Sequence, residues 1–269
     1  MDKKKENHKT EAAEAILVVS FGTSFHDSRS RAIAAIEQEI QQAYPQQQVS
    51  RAFTSQMIIN KLRTRDNIEI DNVPQALKRL AGQGVKRLIV QPTHLMAGLE
   101  YEKLLSQLKE EEGAFLEIGL GAPLLTEESD FEQVARAVAE EAGKLSGDTA
   151  LVLMGHGTEA ASNEVYSRMQ HTFYSQGCKR YYVGTVEAEP DIYEIAEALK
   201  KDRDIKRVIL MPLMVVAGDH AVNDMAGEEP DSWKSILEAE EYQVECILKG
   251  LGELPAIRRM YVEHVKMAY

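Results

Sequence analysis

Short apolar runs alternate with amphipathic segments along most of the chain. Eight runs rich in Val, Ile and Leu predict β-strands, and each is followed by residues typical of turns. The segments between them have helical spacing, as in Ile33, Ile36 and Ile40, which would place an apolar stripe against a sheet. This alternation predicts an α/β fold with parallel sheets covered by helices on both faces. The predicted strands are residues 16–22, 49–54, 87–92, 116–121, 150–155, 180–186, 207–215 and 242–248.

The eight predicted strands divide into two sets of four that resemble each other. Residues 18–23 align with residues 153–158, so that Phe21 matches His156, and residues 91–100 align with residues 211–220. Two matches in the same order indicate two equivalent half-domains with loops of unequal length. The predicted divisions are a solvated tail at residues 1–14, an N-terminal half at residues 15–145 and a C-terminal half at residues 146–269 that carries the candidate site.

Two histidines of the second half follow apolar runs, His156 between two glycines and His220 after residues 211–219. Glycine at such a turn permits left-handed backbone and close approach of a ligand. Because ligands of open α/β sheets bind at the carboxyl ends of the strands, both imidazoles should line one cleft. Glu187 follows the strand predicted between them, so three strand ends supply His, Glu and His. This set suits a divalent first-row metal such as Co, Ni, Fe or Zn, with either histidine available as a base.

Two neighbouring acids leave alternatives open. Glu189, just before Pro190, is an alternative to Glu187 as the functional acid, and Glu187 could instead complement a helix dipole. Asp219, beside His220, is either a partner that orients a neighbouring group or an ordinary loop acid.

The first half offers polar groups of its own to a ligand in the cleft. The hydroxyls of Ser20 and Thr23 could hydrogen-bond ligand carboxylates, with Arg29 or Arg31 nearby. His94 could touch a ligand from this half, although a packed or surface role suits it as well. The segment at residues 20–24 lacks both the lysine of a P-loop and the Gly-x-Gly-x-x-Gly of a dinucleotide site. The chain also has no Gly-x-Ser-x-Gly motif. We therefore expect no nucleotide cofactor and no serine-hydrolase chemistry.

Composition narrows the classes of partner. The net charge is −12, with 43 acidic against 31 scattered basic residues, which argues against nucleic acid. The longest apolar stretches are too short to cross a bilayer, so no membrane association is expected. Cys178 and Cys246 lack metal-type spacing and favour buried thiols in a reducing cytoplasm. The sequence leaves formation of a homo-oligomer open.

Four motifs lie at the predicted strand ends: Val-Ser-Phe-Gly-Thr-Ser at 19–24, Met-Gly-His-Gly-Thr at 154–158, Val-Gly-Thr-Val-Glu at 183–187 and Met-Pro-Leu-Met-Val-Val-Ala-Gly-Asp-His at 211–220. Together they resemble the anaerobic sirohydrochlorin cobaltochelatases, class II chelatases related to ferrochelatase. The resemblance implies two chelatase-type, Rossmann-like domains, each with a four-stranded parallel sheet flanked by helices. It also implies ATP-independent insertion of cobalt(II), a substrate metal, into sirohydrochlorin in anaerobic cobalamin biosynthesis.

The resemblance places the family's metal-binding residues on His156, Glu187 and His220, and Glu187 is preferred because it occupies the Thr-Val-Glu position. The two histidines are then the catalytic residues, and Ser20, Thr23 and His94 are candidates for substrate binding. Two alternatives remain: an iron or nickel chelatase acting on sirohydrochlorin, and a non-catalytic tetrapyrrole or haem carrier with His94 or His220 as axial ligand.

Overall fold

The computed structural model describes residues 13–269, which form two four-stranded sheets with all strand pairs parallel. All eight predicted strands are confirmed. The N-terminal sheet has the order β2-β1-β3-β4 and consists of β1 (Glu14–Ser20), β2 (Gln48–Phe53), β3 (Arg87–Pro92) and β4 (Glu117–Leu120). The C-terminal sheet has the order β6-β5-β7-β8 and consists of β5 (Thr149–Gly155), β6 (Tyr181–Thr185), β7 (Arg207–Pro212) and β8 (Gln243–Cys246). The predicted tail lies outside the described residues up to position 12, and β1 begins at Glu14.

Helices connect the strands and cover both sheets. The α-helices are α1 (His26–Ser28), α2 (Ala35–Ala43), α3 (Gln56–Asp66), α4 (Val73–Gly82), α5 (Leu99–Glu110), α6 (Glu128–Ala142), α7 (Glu164–Ser175), α8 (Ile192–Leu199), α9 (Trp233–Ala239) and α10 (Pro255–Met267). Arg29–Ala34 and Ala221–Met225 are π-helical, and Glu112–Ala114, Ala161–Asn163 and Leu251–Glu253 are 3₁₀-helical. None of the helices within residues 13–269 is both long and apolar enough to span a membrane.

Local sequence explains where several helices begin. The Ser55 side chain accepts a hydrogen bond from the Ile58 backbone N–H at 3.4 Å and caps α3. Asp191 caps α8 in the same way. The side-chain oxygen thereby satisfies a backbone N–H that has no partner within the helix. The predicted stripe of Ile33, Ile36 and Ile40 is fully buried.

Several predicted strands run past their observed ends, and the seventh does so by the most residues. The apolar run suggested a strand over residues 207–215, but β7 ends at Pro212. The Leu213 backbone N–H still donates to the Met154 carbonyl at 2.8 Å, and then the chain turns into the loop that leads to His220. The pattern could not show this end, because Leu213 and Val215 remain buried after leaving the sheet.

The last helix of each half packs against the other half. Helix α6 lies beside α7, where the Arg168 guanidinium is 4.0 Å from the centre of the Phe131 ring. Helix α10 contacts α2, α6 and β3, and its Tyr261 hydroxyl donates to the Thr93 carbonyl at 3.1 Å. The division at residues 145/146 stays a prediction, and buried contacts cross it. Because each of these two helices packs against the opposite half, together they hold the two sheets on either side of one cleft.

Candidate metal centre in a cleft between the halves

The cleft between the halves has a volume of about 1140 Å³. Its walls are formed by the loops after β1 and β3 on one side and after β5, β6 and β7 on the other. These are carboxyl ends of parallel strands, the edge at which ligands of such sheets bind. The volume exceeds the roughly 300–1,000 Å³ usual for drug-sized ligands, so the cleft suits a large one.

His156 follows β5, whose residues are all buried. Packing inside the protein explains why the residues on either side of His156 are glycines. A Cβ at Gly155 would overlap the ring of Tyr166. Gly157 has a φ of +85°, and a Cβ there would lie 2.8 Å from the Ala188 backbone nitrogen. Contacts inside the protein therefore account for both glycines, and they fix the turn from which the His156 side chain projects, about half exposed, into the cleft.

The structure brings His156, Glu187 and His220 together as a single group. One potential ligand atom from each residue lies within 4.8 Å of the other two. The imidazole rings are edge to face, with centroids 4.6 Å apart and planes at 86°. Nδ1 of His156 is 3.5 Å from Oε2 of Glu187. Two imidazoles and one carboxylate with an open side facing the cleft can hold a divalent metal while leaving coordination positions for another ligand.

Asp224 orients His220, and sequence reasoning missed it. Oδ2 of Asp224 lies 2.6 Å from Nδ1 of His220, one turn along the π-helical segment. A carboxylate so close keeps the proton on Nδ1 and leaves the lone pair of Nε2 for a metal. Asp219, the neighbour considered from sequence, instead accepts a hydrogen bond from Asn223 at 3.2 Å. A spacing of four residues from His220 was the available signal for Asp224.

Glu189 takes a different place from Glu187. Within residues 13–269, the carboxylate grouped with the two histidines is that of Glu187. The backbone carbonyl of Glu189 accepts a hydrogen bond from Asn163 Nδ2 at 3.0 Å, which ties the turn after β6 to the segment before α7. The geometry therefore favours Glu187 as the metal-facing acid.

The hydroxyls predicted to bind substrate line the cleft but already have partners. Ser20 Oγ accepts a hydrogen bond from Thr93 Oγ1 at 2.8 Å, and Thr23 Oγ1 accepts one from the Phe25 backbone N–H at 3.2 Å. Both residues are buried. Each hydroxyl therefore helps to shape the loop after β1 and has only part of its hydrogen-bonding capacity left for a ligand.

Neither arginine suggested from sequence lines the cleft. Arg29 is buried and donates to the Thr23 carbonyl at 3.3 Å, and desolvation, followed by the nearby charge of Arg51, lowers its pKa. Arg31 lies 3.5 Å from Asp27. Within residues 13–269, the lysine or arginine that does line the cleft is Lys61, on α3.

His94 and Glu100 also line the cleft, on the N-terminal wall. Both ring nitrogens of His94 and Oε2 of Glu100 are buried without a hydrogen-bond partner. Burial lowers the pKa of His94 to about 4, and the Glu100 carboxylate opposes that shift. The imidazole is therefore neutral at physiological pH, with one N–H and one lone pair unused.

The same wall is markedly apolar. Phe21 is 48% exposed, Met57 71% and Leu99 65%, and all three line the cleft. Exposed large apolar side chains grouped in one concave surface are typical of a ligand site. The cleft thus has a polar C-terminal wall and a largely apolar N-terminal wall.

The whole described chain is similar to known chelatases. A family model described as cobalt chelatase (CbiK) matches residues 14–269. The sirohydrochlorin cobaltochelatase of Salmonella typhimurium is 41% identical over 255 residues, which cover 95% of this chain and 96% of the relative. The sirohydrochlorin cobaltochelatase CbiKC of Nitratidesulfovibrio vulgaris is 29% identical over 269 residues, 98% of this chain and 94% of the relative. The structure of SirB from Bacillus subtilis with Fe³⁺ shares the fold, with a TM-score of 0.66 at 15% identity and coverage of 95% of each chain.

Proposed function

The chain belongs to the cobalt chelatase (CbiK) family, and we propose that it inserts cobalt(II) into sirohydrochlorin in the cleft between its two halves. The observation that carries this proposal is the convergence of His156, Glu187 and His220 on one cleft wall, at the ends of three neighbouring strands. The relatives at 41% and 29% identity are both named sirohydrochlorin cobaltochelatases, which favours this tetrapyrrole and this metal.

The three ligand groups match what metal insertion requires. The incoming ion must lose water ligands, the macrocycle must bend towards it, and two pyrrole N–H protons must leave. His220, with Nδ1 bound to Asp224, presents Nε2 to the metal, and Glu187 supplies a charged oxygen. His156 has its Nδ1 at 3.0 Å from the Gly157 carbonyl, so its Nε2 is the free base. We assign His156 to proton removal once the metal has passed to the macrocycle.

We assign binding of the macrocycle to the N-terminal wall of the cleft. Phe21, Met57 and Leu99 offer apolar surface to the face of a large conjugated ring, and the loss of water from this surface favours binding. Lys61 is assigned to a peripheral carboxylate of the substrate. Ser20 and Thr23 act mainly by holding the loop that carries Phe21.

The proposal is tested by spectroscopic titration of sirohydrochlorin with Co(II), Fe(II) and Ni(II), with and without the protein, and without any nucleotide. We expect many turnovers per protein molecule, with the largest acceleration for cobalt. A larger acceleration for iron or nickel would show that the protein is a chelatase for that metal. This outcome is open because nitrogen and oxygen donors alone do not select cobalt over nickel. A stable one-to-one coloured complex without turnover would instead establish a carrier.

A matched pair of variants tests the choice of acid. Glu187→Gln should lower Co(II) affinity and kcat, because it removes the charged oxygen from the group of three ligands. Glu189→Gln should retain activity, because the hydrogen bond of Glu189 to Asn163 is made by its backbone carbonyl, which the substitution does not change. The opposite result would move the metal-facing role to Glu189.

We also propose a cytoplasmic location. Cys178 and Cys246 are free and half-buried, as expected for a protein kept in a reducing compartment. Cell fractionation with an antibody against the chain would test this.

A further inference from the structure

The loop that leads to His220 lies at the junction between the two halves. This loop, residues 213–219, leaves β7 of the C-terminal sheet and is hydrogen-bonded to Ser28 of the N-terminal half. We propose that Ser28 is a positioning residue for His220 and holds the loop so that the imidazole meets His156 and Glu187 around the incoming metal. The inference rests on the proposed function, because it concerns the assembly of the same group of three ligands.

A direct hydrogen bond joins Ser28 to the loop. Ser28 Oγ donates to the backbone carbonyl of Ala217 at 2.5 Å. Ala217 is buried and lies three residues before His220. The first helical hydrogen bond after the loop runs from the Val222 N–H to the Gly218 carbonyl, so the Ala217 carbonyl lies outside the helical segment. A buried carbonyl needs a donor, and the N-terminal half supplies it here.

The loop is also packed between the halves. On one side, the Val216 side chain packs against an apolar cluster of the N-terminal half, which consists of Ile33, Phe53, Ile59 and Leu62. On the other side, a Cβ at Gly250 would lie 2.5 Å from the Val215 carbonyl oxygen, so the segment after β8 lies directly against the loop backbone. The position of the loop therefore depends on contacts with both halves.

The other two ligands are joined to each other within the C-terminal half. The Glu187 backbone N–H donates to the His156 carbonyl at 2.9 Å, which continues the pairing of β5 with β6. His156 and Glu187 thus keep their relative position through neighbouring strands of one sheet. His220 has a contact with the N-terminal half through the loop before it, and Ser28 makes the hydrogen bond of that contact.

The backbone position of a metal ligand matters because coordination bonds are short and directional. Groups that orient a metal-binding side chain typically change metal affinity by about 10- to 100-fold. Asp224 acts on the His220 ring itself, since it lies 2.6 Å from Nδ1. Ser28 acts instead on the backbone from which the ring projects. Loss of the Ser28 hydroxyl should therefore leave the ligand atom of His220 unchanged and displace it from the other two ligands.

The test uses Ser28→Ala in the full chain, with Ser28→Thr to retain the hydroxyl and Ser30→Ala as a control on an exposed position nearby. We expect Ser28→Ala to raise the Kd for Co(II), measured without sirohydrochlorin, by about 10-fold. The KM for Co(II) should rise in parallel. The KM for sirohydrochlorin should change by less than about 3-fold, because Ser28 does not line the cleft. Ser28→Thr and Ser30→Ala should both retain the wild-type Co(II) affinity.

The visible absorption of bound Co(II) distinguishes positioning of His220 from a general effect on stability. These bands depend on the number and geometry of the ligands. At saturating Co(II), the bands of Ser28→Ala should move from those of the wild type towards those of His220→Ala, while the bands of Ser28→Thr should not. Circular dichroism checks that each variant is folded.

Two outcomes would overturn the inference. One is a folded Ser28→Ala variant with the Co(II) affinity and the Co(II) bands of the wild type. The other is an equal loss of affinity in Ser28→Ala and Ser28→Thr, because the hydroxyl would then not be the group that matters. Both outcomes leave the proposed function intact as long as the wild type turns over normally. Absence of turnover in the wild type would instead overturn the proposed function.

Discussion

The two halves share one architecture and differ in the side chains that stand at three corresponding strand ends. Their sheets have corresponding strand orders, β2-β1-β3-β4 and β6-β5-β7-β8. Two residues after β2 lies Ser55, and two residues after β6 lies Glu187. The three positions carry Phe21, Ser55 and Glu100 in the first half and His156, Glu187 and His220 in the second. The same scaffold therefore presents the proposed metal centre or an apolar wall according to the residues at these positions.

Local structure explains why the described residues of the first half form no equivalent group of metal-ligand candidates. The Ser55 side chain is used as the cap of α3, where it accepts from the Ile58 backbone N–H. Phe21 is about half exposed in the cleft, as His156 is, but it carries no ligand atom. A planar macrocycle between these walls would meet metal ligands on one face and a hydrocarbon surface on the other.

The largest expected effect comes from removing the histidines of the second half. His156→Ala and His220→Ala should each lower kcat for cobalt insertion by about 10²- to 10⁴-fold, because each removes a proposed metal ligand or the proposed base. Insertion is followed by absorbance, and circular dichroism should show an intact fold. His171→Ala, on the exposed face of α7, is the control. Near-normal turnover in either test variant would contradict the proposal that the second half carries the metal-binding and catalytic histidines.

A smaller effect is expected at the residue that orients His220. Asp224→Asn should lower Co(II) affinity or kcat by about 10- to 100-fold, because the amide no longer fixes the proton on Nδ1 as strongly. Asp219→Asn is the matched comparison and should lose much less, since Asp219 bonds to Asn223. Both are measured by metal titration and steady-state assay. Equal losses in the two variants would mean that nearby negative charge, and not orientation, is what matters.

The sequence predicted the scaffold better than the details of the cleft. The strands were visible because residues such as Val152 and Leu153 belong to short runs that are buried on both faces of a sheet. The end of β7 was predicted wrongly, because Leu213 and Val215 stay buried in a loop. Asp224 was missed because its role depends on the helical segment that begins after His220, which the apolar pattern does not show. The sequence pattern does not determine strand order either, because the order depends on packing between distant segments.

The apolar wall should contribute to substrate binding more than to chemistry. Phe21→Ala should raise KM for sirohydrochlorin by roughly 10-fold, as expected when an aromatic contact worth about 1 kcal/mol or more is lost, with kcat largely unchanged. Tyr174→Ala, an exposed aromatic residue on α7 away from the cleft, is the control. A fall in kcat with unchanged KM would show instead that Phe21 acts on the bending of the macrocycle.

The smallest effect concerns the stability of the first half in acid. The pKa of His94 is about 4 in the folded chain, below the 6.5 of an unperturbed histidine, because burial opposes the charged ring. The unfolded chain therefore binds a proton between these pH values and the folded chain does not, so stability falls as the pH drops below about 6.5. Between about pH 7 and 5.5 the wild type should lose roughly 1 kcal/mol more unfolding free energy than His94→Asn, measured by urea denaturation. Met214, the counterpart of His94 in the second half, has no proton to bind, so Met214→Leu should keep the wild-type pH dependence. If His94→Asn loses stability as steeply as the wild type, His94 is not held neutral by burial in the folded protein.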